Sequence, residues 1–228
     1  MPDRQPLVRG RTMSLWGRPP SRYYSYIRRL EEQVRGRKPS LAVLGCADGK
    51  FVLPAARRGF RVLAVDVDEV ALFGGPKADG IGGPVRMAGL SARLEAEGLS
   101  ALVEVVLGDL TEGIYPRSYD GVLSSGAIQY SRNMPRDAKY LVTAVIGYAK
   151  PGGLVYIDYM LPYETKYIGR PNCPPAGWWR HHLNSRDDIE VLYNRVMRPT
   201  LDRAHVEYPV DHYHQWGHAL LRKASTER

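Results

Sequence analysis

A short apolar run that ends in a glycine-bounded turn constrains the fold of this chain more than any other feature. Residues 41–45 read Leu-Ala-Val-Leu-Gly, and a second glycine, Gly49, follows four positions after Gly45. Glycine lets the backbone turn sharply and approach a ligand closely. A second apolar run, residues 62–67, contains Asp66, 21 positions after Gly45. An acid about 20 residues after such a turn meets ribose hydroxyls in mononucleotide-binding βαβ units, so the sequence predicts a site for an adenosine-containing ligand.

The net charge of the chain lies almost entirely in its first 38 residues. The chain has 228 residues and a formal net charge of +8. Residues 1–38 contain ten basic and three acidic residues, a net +7, which leaves +1 for residues 39–228. Such an arm is either a solvated tail that aids solubility or an arm that closes over an anionic substrate. An RNA-binding enzyme more often spreads basic residues over its active-site face.

The composition is that of an ordinary globular protein. Hydrophobic residues make up 44% and charged residues 25% of the chain. No apolar stretch reaches the ~18 residues of a membrane span, and the first residues lack the apolar segment of a secretory signal. Cys46 and Cys173 are the two cysteines, and they do not have metal-ligand spacing. We therefore expect a cytoplasmic protein with no membrane association and no metal site.

Alternating apolar strands and helices predict a doubly wound α/β fold with a mostly parallel sheet. The predicted strands lie near 41–45, 62–66, 103–107, 120–125 and 153–159. The predicted helices lie near 49–58, 85–97 and 136–149. Residues 204–210 and 217–223 read as a final hairpin, which makes seven strands, the last of them antiparallel.

The basic segment 1–38 is predicted to form an N-terminal arm with a lid helix. Residues 1–19 are rich in proline, glycine and arginine and read as irregular. A helix is predicted over about 21–34, because four apolar or aromatic residues share one face by their three-and-four spacing. These residues are Tyr23, Tyr26, Ile27 and Leu30. Tyr23, Tyr24 and Tyr26 either close over a bound ligand or attach the helix to the domain.

Residues 39–228 are predicted to form one domain with two interruptions. The first is the glycine- and proline-rich segment 74–84, which cannot be a stable helix interior and is expected to form a loop near the ligand. The second is a substrate-side insertion, 160–197, whose first part is rich in aromatic residues. An amphipathic helix is expected at its end, over about 185–197.

Five motifs, taken in their order and spacing, resemble those of the class I S-adenosylmethionine-dependent methyltransferases over residues 39–159. The glycine turn resembles that family's loop beneath the methionine part of the cofactor, and Asp66 matches its ribose-binding acid. Asp109 lies in a Gly-Asp-Leu sequence that is similar to the adenine-binding position. The Ser-Ser-Gly sequence at 124–126 resembles the fourth-strand motif beside the transferable methyl group, and 149–158 is similar to the turn into the fifth strand. The resemblance implies S-adenosyl-L-methionine as cofactor, bound by Gly45, Cys46, Ala47, Asp48, Gly49, Asp66, Val67, Asp109, Leu110, Ser125 and Gly126.

Two positions depart from the family's pattern. The family usually has an acid two residues before the first glycine, where this chain has Val43, and a middle glycine where it has Ala47. The missing carboxylate removes an attraction for the cofactor's ammonium group. Asp48, a water molecule or a backbone group compensates for it, or cofactor binding is weakened.

The candidate acceptor-side residues follow the predicted fourth strand or lie near the end of the chain. A sulfonium methyl is already electrophilic, so holding the acceptor in line matters most, and a general base adds a smaller factor. Gln129 and Tyr130 are our candidates for contact with the acceptor, and His212 is our candidate base. Asp158 either orients the acceptor or caps a loop. No nearby cysteine or strand-end carboxylate joins His212 and His214 in a zinc site.

Three functions remain open on the sequence alone. The first is methyl transfer to oxygen or nitrogen of a small molecule, because the aromatic insertion suits an enclosed pocket. The second is methylation of RNA or another nucleic acid, with the basic arm on the phosphates. It is disfavoured because the fourth strand lacks the Asp/Asn-Pro-Pro-aromatic sequence typical of base amino methylation. The third is a non-catalytic member that keeps the fold, and only Val43 and Ala47 support it.

Overall fold

The architecture is one large β-sheet with helices on both faces, in a computed structural model of the chain. The residues that it describes are 8–9, 13–77, 85–112, 118–164, 167–203 and 210–225. The strands are β1 (Val8–Arg9), β2 (Ser40–Leu44), β3 (Arg61–Asp66), β4 (Gly75–Lys77), β5 (Val85–Met87), β6 (Val103–Leu107), β7 (Tyr119–Ser125), β8 (Ala149–Leu161), β9 (Ile189–Val196), β10 (Thr200–Asp202) and β11 (His212–Lys223). The helices are α1 (Ser21–Gln33), α2 (Val52–Ala56), α3 (Glu69–Phe73), α4 (Gly89–Ala96), α5 (Ala138–Gly147) and α6 (Ala176–Asn184).

The main sheet confirms the predicted α/β fold. Strands β6, β3, β2, β7 and β8 lie side by side in that order and run parallel. The last strand, β11, pairs with β8 and is antiparallel to it, as predicted. Both β9 and β10 pair with the other side of β11, so they share the seventh position of the sheet. The carboxyl ends of the parallel strands form one edge, which is where open α/β sheets bind ligands.

The central strands are apolar on both faces because both faces are covered by helices. Residues 41–44 of β2 are fully buried, as expected for a strand in the middle of a parallel sheet. One face packs against α1–α4, with Leu30 and Leu72 in its core. The other face packs against α5 and α6, with Leu141 and Trp179 in its core. Removing apolar surface from water stabilises such a core by about 25 cal/mol per Å².

Helix α1 is attached to the sheet by the face that its sequence predicts. Tyr23, Tyr26, Ile27 and Leu30 are all buried. The hydroxyl of Tyr23 donates to the carbonyl of Phe51 at 2.7 Å, and that of Tyr26 donates to the carbonyl of Val122 at 2.9 Å. A Cβ atom on Gly121 would lie 2.4 Å from Leu30, so glycine at this position lets the helix approach β7. The aromatic face therefore anchors the helix to the sheet, and the role of the helix as a lid stays a prediction.

The arm is also held at its other end. Strand β1 pairs in parallel with β5, and β5 pairs with β4, so these three strands form a small second sheet. Strands β4 and β5 lie at the two ends of the glycine-rich segment 74–84, of which residues 78–84 lie outside the described part of the chain. The helix predicted near 85–97 accordingly begins only at Gly89. In the part of the chain that is described, no helix is long and apolar enough to cross a membrane.

The helix predicted over 185–197 is wrong, because this segment contains strand β9. Its sequence, Ile-Glu-Val-Leu-Tyr-Asn-Arg-Val, contains the β-branched and aromatic residues that suit a strand. Pairing with β11 outweighs the helical spacing of its apolar residues. In the hairpin predicted at the end of the chain, 217–223 lies in β11, whereas 204–209 lies outside the described residues. The described partners of β11 on this side are β9 and β10.

Candidate functional site

The glycine turn lies at the carboxyl end of β2 and has a shape that only glycine permits at its two ends. Gly45 and Gly49 have φ angles of +76° and +90°. A Cβ atom on Gly45 would lie 2.3 Å from the Cβ of Ala127, and one on Gly49 would lie 2.5 Å from Leu53. The amides of Gly45 and Cys46 both donate to the carbonyl of Val65, at 2.8 and 3.1 Å. The turn is therefore held against the end of β3.

Asp66 closes the turn from the adjacent strand. One carboxylate oxygen accepts the amide hydrogen of Ala47 at 2.7 Å, and the other accepts that of Asp68 at 2.9 Å. Burial raises the pKa of Asp66, and the backbone amides of Asp68, Ala47 and Val67 act against this shift without cancelling it. Each oxygen keeps lone-pair capacity, and the side chain is only half-buried, with Val67 beside it. The carboxylate thus keeps acceptor capacity at the carboxyl end of β3, and its contact with a ribose stays a prediction.

Asp48 faces the N-terminal arm. Its carboxylate accepts the hydroxyl of Ser14 at 2.5 Å and the amide of Leu15 at 2.8 Å. Arg93 lies 3.5 Å away and donates to the backbone carbonyl of Asp48. Burial raises the pKa of Asp48, and these donors oppose the shift. Val43 is fully buried in the core. The carboxylate of Asp48 is therefore held by the arm, and its compensation for Val43 stays a prediction.

Asp109 lies just after β6, as the Gly-Asp-Leu motif predicts. Its carboxylate is 2.8 Å from a guanidinium nitrogen of Arg136 and accepts hydrogen bonds from the amide and hydroxyl of Thr111. Desolvation pushes the pKa of Asp109 up, but the bonds from Arg136 and Thr111 outweigh it, so the net pKa is lowered. Asp109 and its neighbour Leu110 are buried. The group is therefore an ionised, rigidly held acceptor at the ligand edge.

The end of β7 holds the next group of predicted residues. Ser125 donates its hydroxyl to Asp158 at 2.7 Å. Gly126 has a φ of +78°, and a Cβ atom there would lie 3.7 Å from the ring of Tyr130 and 3.8 Å from that of Trp216. Tyr130 is thus beside the position that the family's motif assigns to the methyl group, and its contact with an acceptor remains a prediction.

Gln129 and His212 are both buried and hydrogen-bonded to backbone carbonyls. Gln129 is 1% exposed and donates to the backbone carbonyl of Asn172 at 3.3 Å, so it supports the loop before α6. His212 is also buried, and its Nδ1 lies 2.8 Å from the carbonyl of Val210. Their predicted catalytic roles are not tested by these contacts.

The sequence reasoning missed a buried Asp158–His218 pair. His218 of β11 lies directly opposite Asp158 of β8, and its Nδ1 is hydrogen-bonded to the Asp158 carboxylate. Both side chains are 4% exposed. Arg22 of α1 lies 3.7 Å from Asp158 and donates to the hydroxyl of Tyr156 at 2.9 Å. Desolvation raises the pKa of Asp158, but the bond from His218 outweighs it, so the net pKa is lowered.

Lys50, at the end of the glycine turn, completes the charged surroundings of this pair. Burial lowers the pKa of Lys50, and the negative charge of Asp158 opposes the shift while Arg22 adds to it. The pair therefore lies between the glycine turn, the arm and the end of β7. The sequence indicated this pair only by an acid, Asp158, in one predicted strand and a histidine, His218, in a later one. Which residues of the two strands lie opposite each other depends on tertiary pairing, which local sequence does not encode.

The fold is that of the class I S-adenosylmethionine-dependent methyltransferases. TehB from Haemophilus influenzae is 13% identical over 87% of this chain, with a TM-score of 0.59, and the chain spans 62% of TehB. Coclaurine N-methyltransferase bound to N-methylheliamine and S-adenosylhomocysteine is 15% identical over 88% of this chain and 72% of its own, with a TM-score of 0.56. Magnesium protoporphyrin IX methyltransferase from Synechocystis PCC 6803 with bound S-adenosylmethionine is 13% identical over 89% of this chain and 78% of its own, with a TM-score of 0.56.

The sequence itself matches nothing that names a reaction. No protein-family model matches it, and a search of curated proteins finds no match. At identities of 13–15% the similar structures establish the fold. One fold hosts many activities, so the reaction has to be argued from the residues at the ligand edge.

Proposed function

We propose that this chain transfers the methyl group of S-adenosylmethionine to an oxygen or nitrogen atom of a small molecule. The observation that carries the proposal is the buried Asp158–His218 pair beside Ser125 and Gly126. Asp158 of this pair is hydrogen-bonded to Ser125 at the end of β7, so the pair would supply an acceptor-side group there. The structure of coclaurine N-methyltransferase, which has the same fold, contains a small-molecule amine and the demethylated cofactor.

The residues of the ligand edge fit the cofactor. Asp66 would accept the ribose hydroxyls, because its two carboxylate oxygens keep lone-pair capacity beside the backbone amides that they bind. The ionised carboxylate of Asp109 would accept the adenine amino group. The turn from Gly45 to Gly49 brings backbone close to the position of the methionine part. When bound, S-adenosylmethionine supplies an electrophilic methyl group on a sulfonium centre.

The Asp158–His218 pair would act as the base for an acceptor that releases a proton. A carboxylate can only accept, so Nδ1 of His218 carries the hydrogen in this bond and Nε2 is the atom that takes a proton. Asp158 holds the ring in this tautomer and stabilises the imidazolium that forms, in the manner of the acid in a catalytic triad. A positioned base contributes typically about 10²–10⁴-fold. His218, with its buried acid partner, is better placed for this role than His212.

The arm's contacts favour a small molecule over RNA. Two arginines of the arm make ion pairs within the protein, Arg37 with Asp120 and Arg22 with Asp158. These guanidinium groups are used to hold the arm to the domain and are less available for phosphates. Two aromatic rings, those of Tyr130 and Trp216, lie next to Gly126 instead.

The proposal is tested by following the methyl group. The protein is incubated with methyl-labelled S-adenosylmethionine and either a small-molecule extract or total RNA, and the label is traced by chromatography. We expect label in a small-molecule fraction. For an acceptor that loses a proton, His218→Gln should lower the rate by about 10²–10⁴-fold. The exposed His181 provides the matched control, and His181→Gln should leave the rate unchanged.

Two results contradict the proposal in different ways. Label in RNA alone assigns a nucleic-acid substrate and leaves the cofactor in place. Absence of cofactor binding in a calorimetric titration makes the chain a member of the fold without methyl transfer. Equal rates of His218→Gln and His181→Gln on a hydroxyl acceptor exclude His218 as the base.

A further inference from the structure

Two histidines and one aspartate converge where β10 pairs with β11. Asp202 lies directly opposite His212 in the antiparallel register, and Thr200 lies opposite His214. Side chains that are opposite on paired strands, or two positions apart on one strand, share a face of the sheet. One nitrogen or oxygen atom from each of Asp202, His212 and His214 accordingly lies within 4.8 Å of the others. The carboxylate that the sequence analysis found missing near these histidines is supplied by β10.

The contacts of His212 orient its ring as in a metal ligand. Its Nδ1 lies 2.8 Å from the carbonyl oxygen of Val210. A carbonyl only accepts, so Nδ1 carries the hydrogen and the lone pair of the neutral ring lies on Nε2. Donation of one ring nitrogen to a backbone carbonyl is the arrangement that fixes metal-ligating histidines in proteins. Since His212 is 4% exposed, packing also limits its movement.

The Asp202–His214 contact is a place where a metal ion can replace a proton. Nδ1 of His214 lies 2.7 Å from the Asp202 carboxylate, and its Nε2 faces the hydroxyl of Tyr167 at 3.4 Å. His214 is buried, whereas the side chain of Asp202 is 42% exposed, so solvent ions reach the cluster from the Asp202 side. Metal binding at such a site releases the proton that the two groups share.

We propose that Asp202, His212 and His214 bind one divalent transition-metal ion of the Zn²⁺ and Co²⁺ class. Two imidazoles and one carboxylate form the donor set of open zinc sites and of other borderline divalent metals. Bonds of ~2.0–2.2 Å in a tetrahedral site place ligand atoms about 3.4 Å apart, so side-chain rotation has to close the present separations by an ångström or so.

The position of the site links it to the acceptor side of the ligand edge. The ring centroids of His214 and Trp216 are 5.6 Å apart. Trp216 in turn lies 3.8 Å from the position of a Cβ atom on Gly126. One indole ring therefore separates the metal cluster from the end of β7. The competing account is a purely structural Asp202–His214 ion pair that joins β10 to β11.

Metal titration of the full chain distinguishes the two accounts. Protein that has been treated with a chelator and dialysed is titrated with Co²⁺, and the visible d–d absorption of bound cobalt is followed. Zn²⁺ is then added to displace it. We expect one equivalent to bind, with at least ~10-fold weaker affinity in Asp202→Asn and in His212→Gln. His181→Asn, on the exposed side of α6, should bind as the unaltered chain does.

The outcomes decide the proposal without reference to methyl transfer. Melting curves of metal-free Asp202→Asn and His212→Gln show whether each variant folds. If one of them is unfolded, the metal affinity of the other tests the proposal. No bound cobalt, or equal affinity in the unaltered chain and both site variants, leaves the structural ion pair and overturns the proposal. Loss of binding in His181→Asn assigns the metal to adventitious surface histidines and also overturns it.

Discussion

At the scale of single residues, Ala47 has the most unusual backbone at the ligand edge. Among the described residues other than glycine, it alone has a positive φ, 46°. The left-handed conformation costs an L-residue roughly 1–2 kcal/mol. In return, the amide of Ala47 bonds the Asp66 carboxylate at 2.7 Å, which holds the turn closed. Ala47, which stands where the family has a glycine, thus keeps the shape of the turn but does so with a strained backbone.

This strain predicts that Ala47→Gly stabilises the protein. The relief of about 1–2 kcal/mol exceeds the roughly 0.4–1 kcal/mol that glycine adds to the entropy of the unfolded chain. We expect a net gain of about 0.5–1 kcal/mol in the free energy of unfolding, measured in urea. Ala92, exposed within helix α4, is the control, because glycine there should cost about 1 kcal/mol. A loss of stability in Ala47→Gly as well as in Ala92→Gly would show that the backbone of Ala47 is not strained.

At the scale of elements, the segment before α1 is part of the ligand edge. Residues 1–19 are predicted to be irregular, and within the described part of this stretch Ser14 and Leu15 donate hydrogen bonds to the carboxylate of Asp48. Asp48 lies inside the glycine turn, so the arm supports the turn from outside. Composition alone could not predict this contact, because it joins a serine and an aspartate with no shared motif.

Loss of the Ser14 hydroxyl should therefore weaken both the fold and the turn. Ser14→Ala removes one donor from a buried carboxylate, which we expect to cost about 1–2 kcal/mol in the free energy of unfolding. Urea unfolding measures this cost, and calorimetry measures the accompanying loss of cofactor affinity. Ser25, an exposed serine of α1, is the matched control, because Ser25→Ala should change stability by less than about 0.5 kcal/mol. Equal stability of both variants would show that Asp48 is supported without Ser14.

A second contact joins the arm to three strands at their amino ends. The buried Asp120 of β7 accepts two bonds from Arg37, two from Ser40, and one from Lys150. Desolvation raises the pKa of Asp120, but the bonds from Arg37 and Lys150 outweigh it, and the net pKa lies far below its ordinary value. The arm, β2, β7 and β8 are thus held together by one ionised carboxylate.

This depressed pKa predicts an acid-dependent loss of stability. A carboxyl whose pKa is lower in the folded than in the unfolded state stabilises the protein fully above the unfolded pKa of about 3.9. Its contribution disappears as the pH falls below that value. Asp120→Asn should therefore cost about 1–3 kcal/mol at pH 7 and progressively less below about pH 4. Urea unfolding at several pH values tests this, with the exposed Asp187→Asn as control; a difference that does not change with pH contradicts it.

Strands could be predicted from the sequence where the run of apolar residues along the chain reflects burial. The parallel strands read as continuous apolar runs, since both faces are covered, and all five were found within a few residues of their predicted bounds. Segment 189–196 was not predictable in this way. It is an edge strand with mixed polar and apolar residues, and its spacing also fits a helix. Pairing with β11, which decides the matter, is not encoded in local sequence.

At the scale of the whole molecule, the contact between the glycine turn and Asp66 was easier to predict than the contacts made by β11. The glycine turn and Asp66 belong to one local βαβ unit, so their spacing alone places them together. The Asp158–His218 pair and the Asp202–His212–His214 cluster each depend on the register of β11 with a different strand. Histidines at alternating positions of one strand are expected to share a face of the sheet. The carboxylates that they contact, Asp202 and Asp158, lie on other strands and are brought there by tertiary pairing.

The fold and the ligand edge together predict that S-adenosylmethionine raises the melting temperature of the whole protein. A ligand present at 100 times its dissociation constant stabilises the folded state by about 2.7 kcal/mol. For a chain of this size each kcal/mol corresponds to roughly 2–4 °C, so we expect a rise of about 5–10 °C in a thermal-shift assay.

S-adenosylhomocysteine should act similarly in this assay, since it keeps the ribose and adenine that Asp66 and Asp109 would hold, whereas methionine alone should not. Asp66→Ala should abolish most of the shift, because it removes charge-assisted bonds worth about 1.5–3 kcal/mol. The exposed Asp187→Ala should retain the full shift. A rise that persists in Asp66→Ala would place the adenosyl group elsewhere on the sheet, and no rise with either compound would mean that the ligand edge does not bind it.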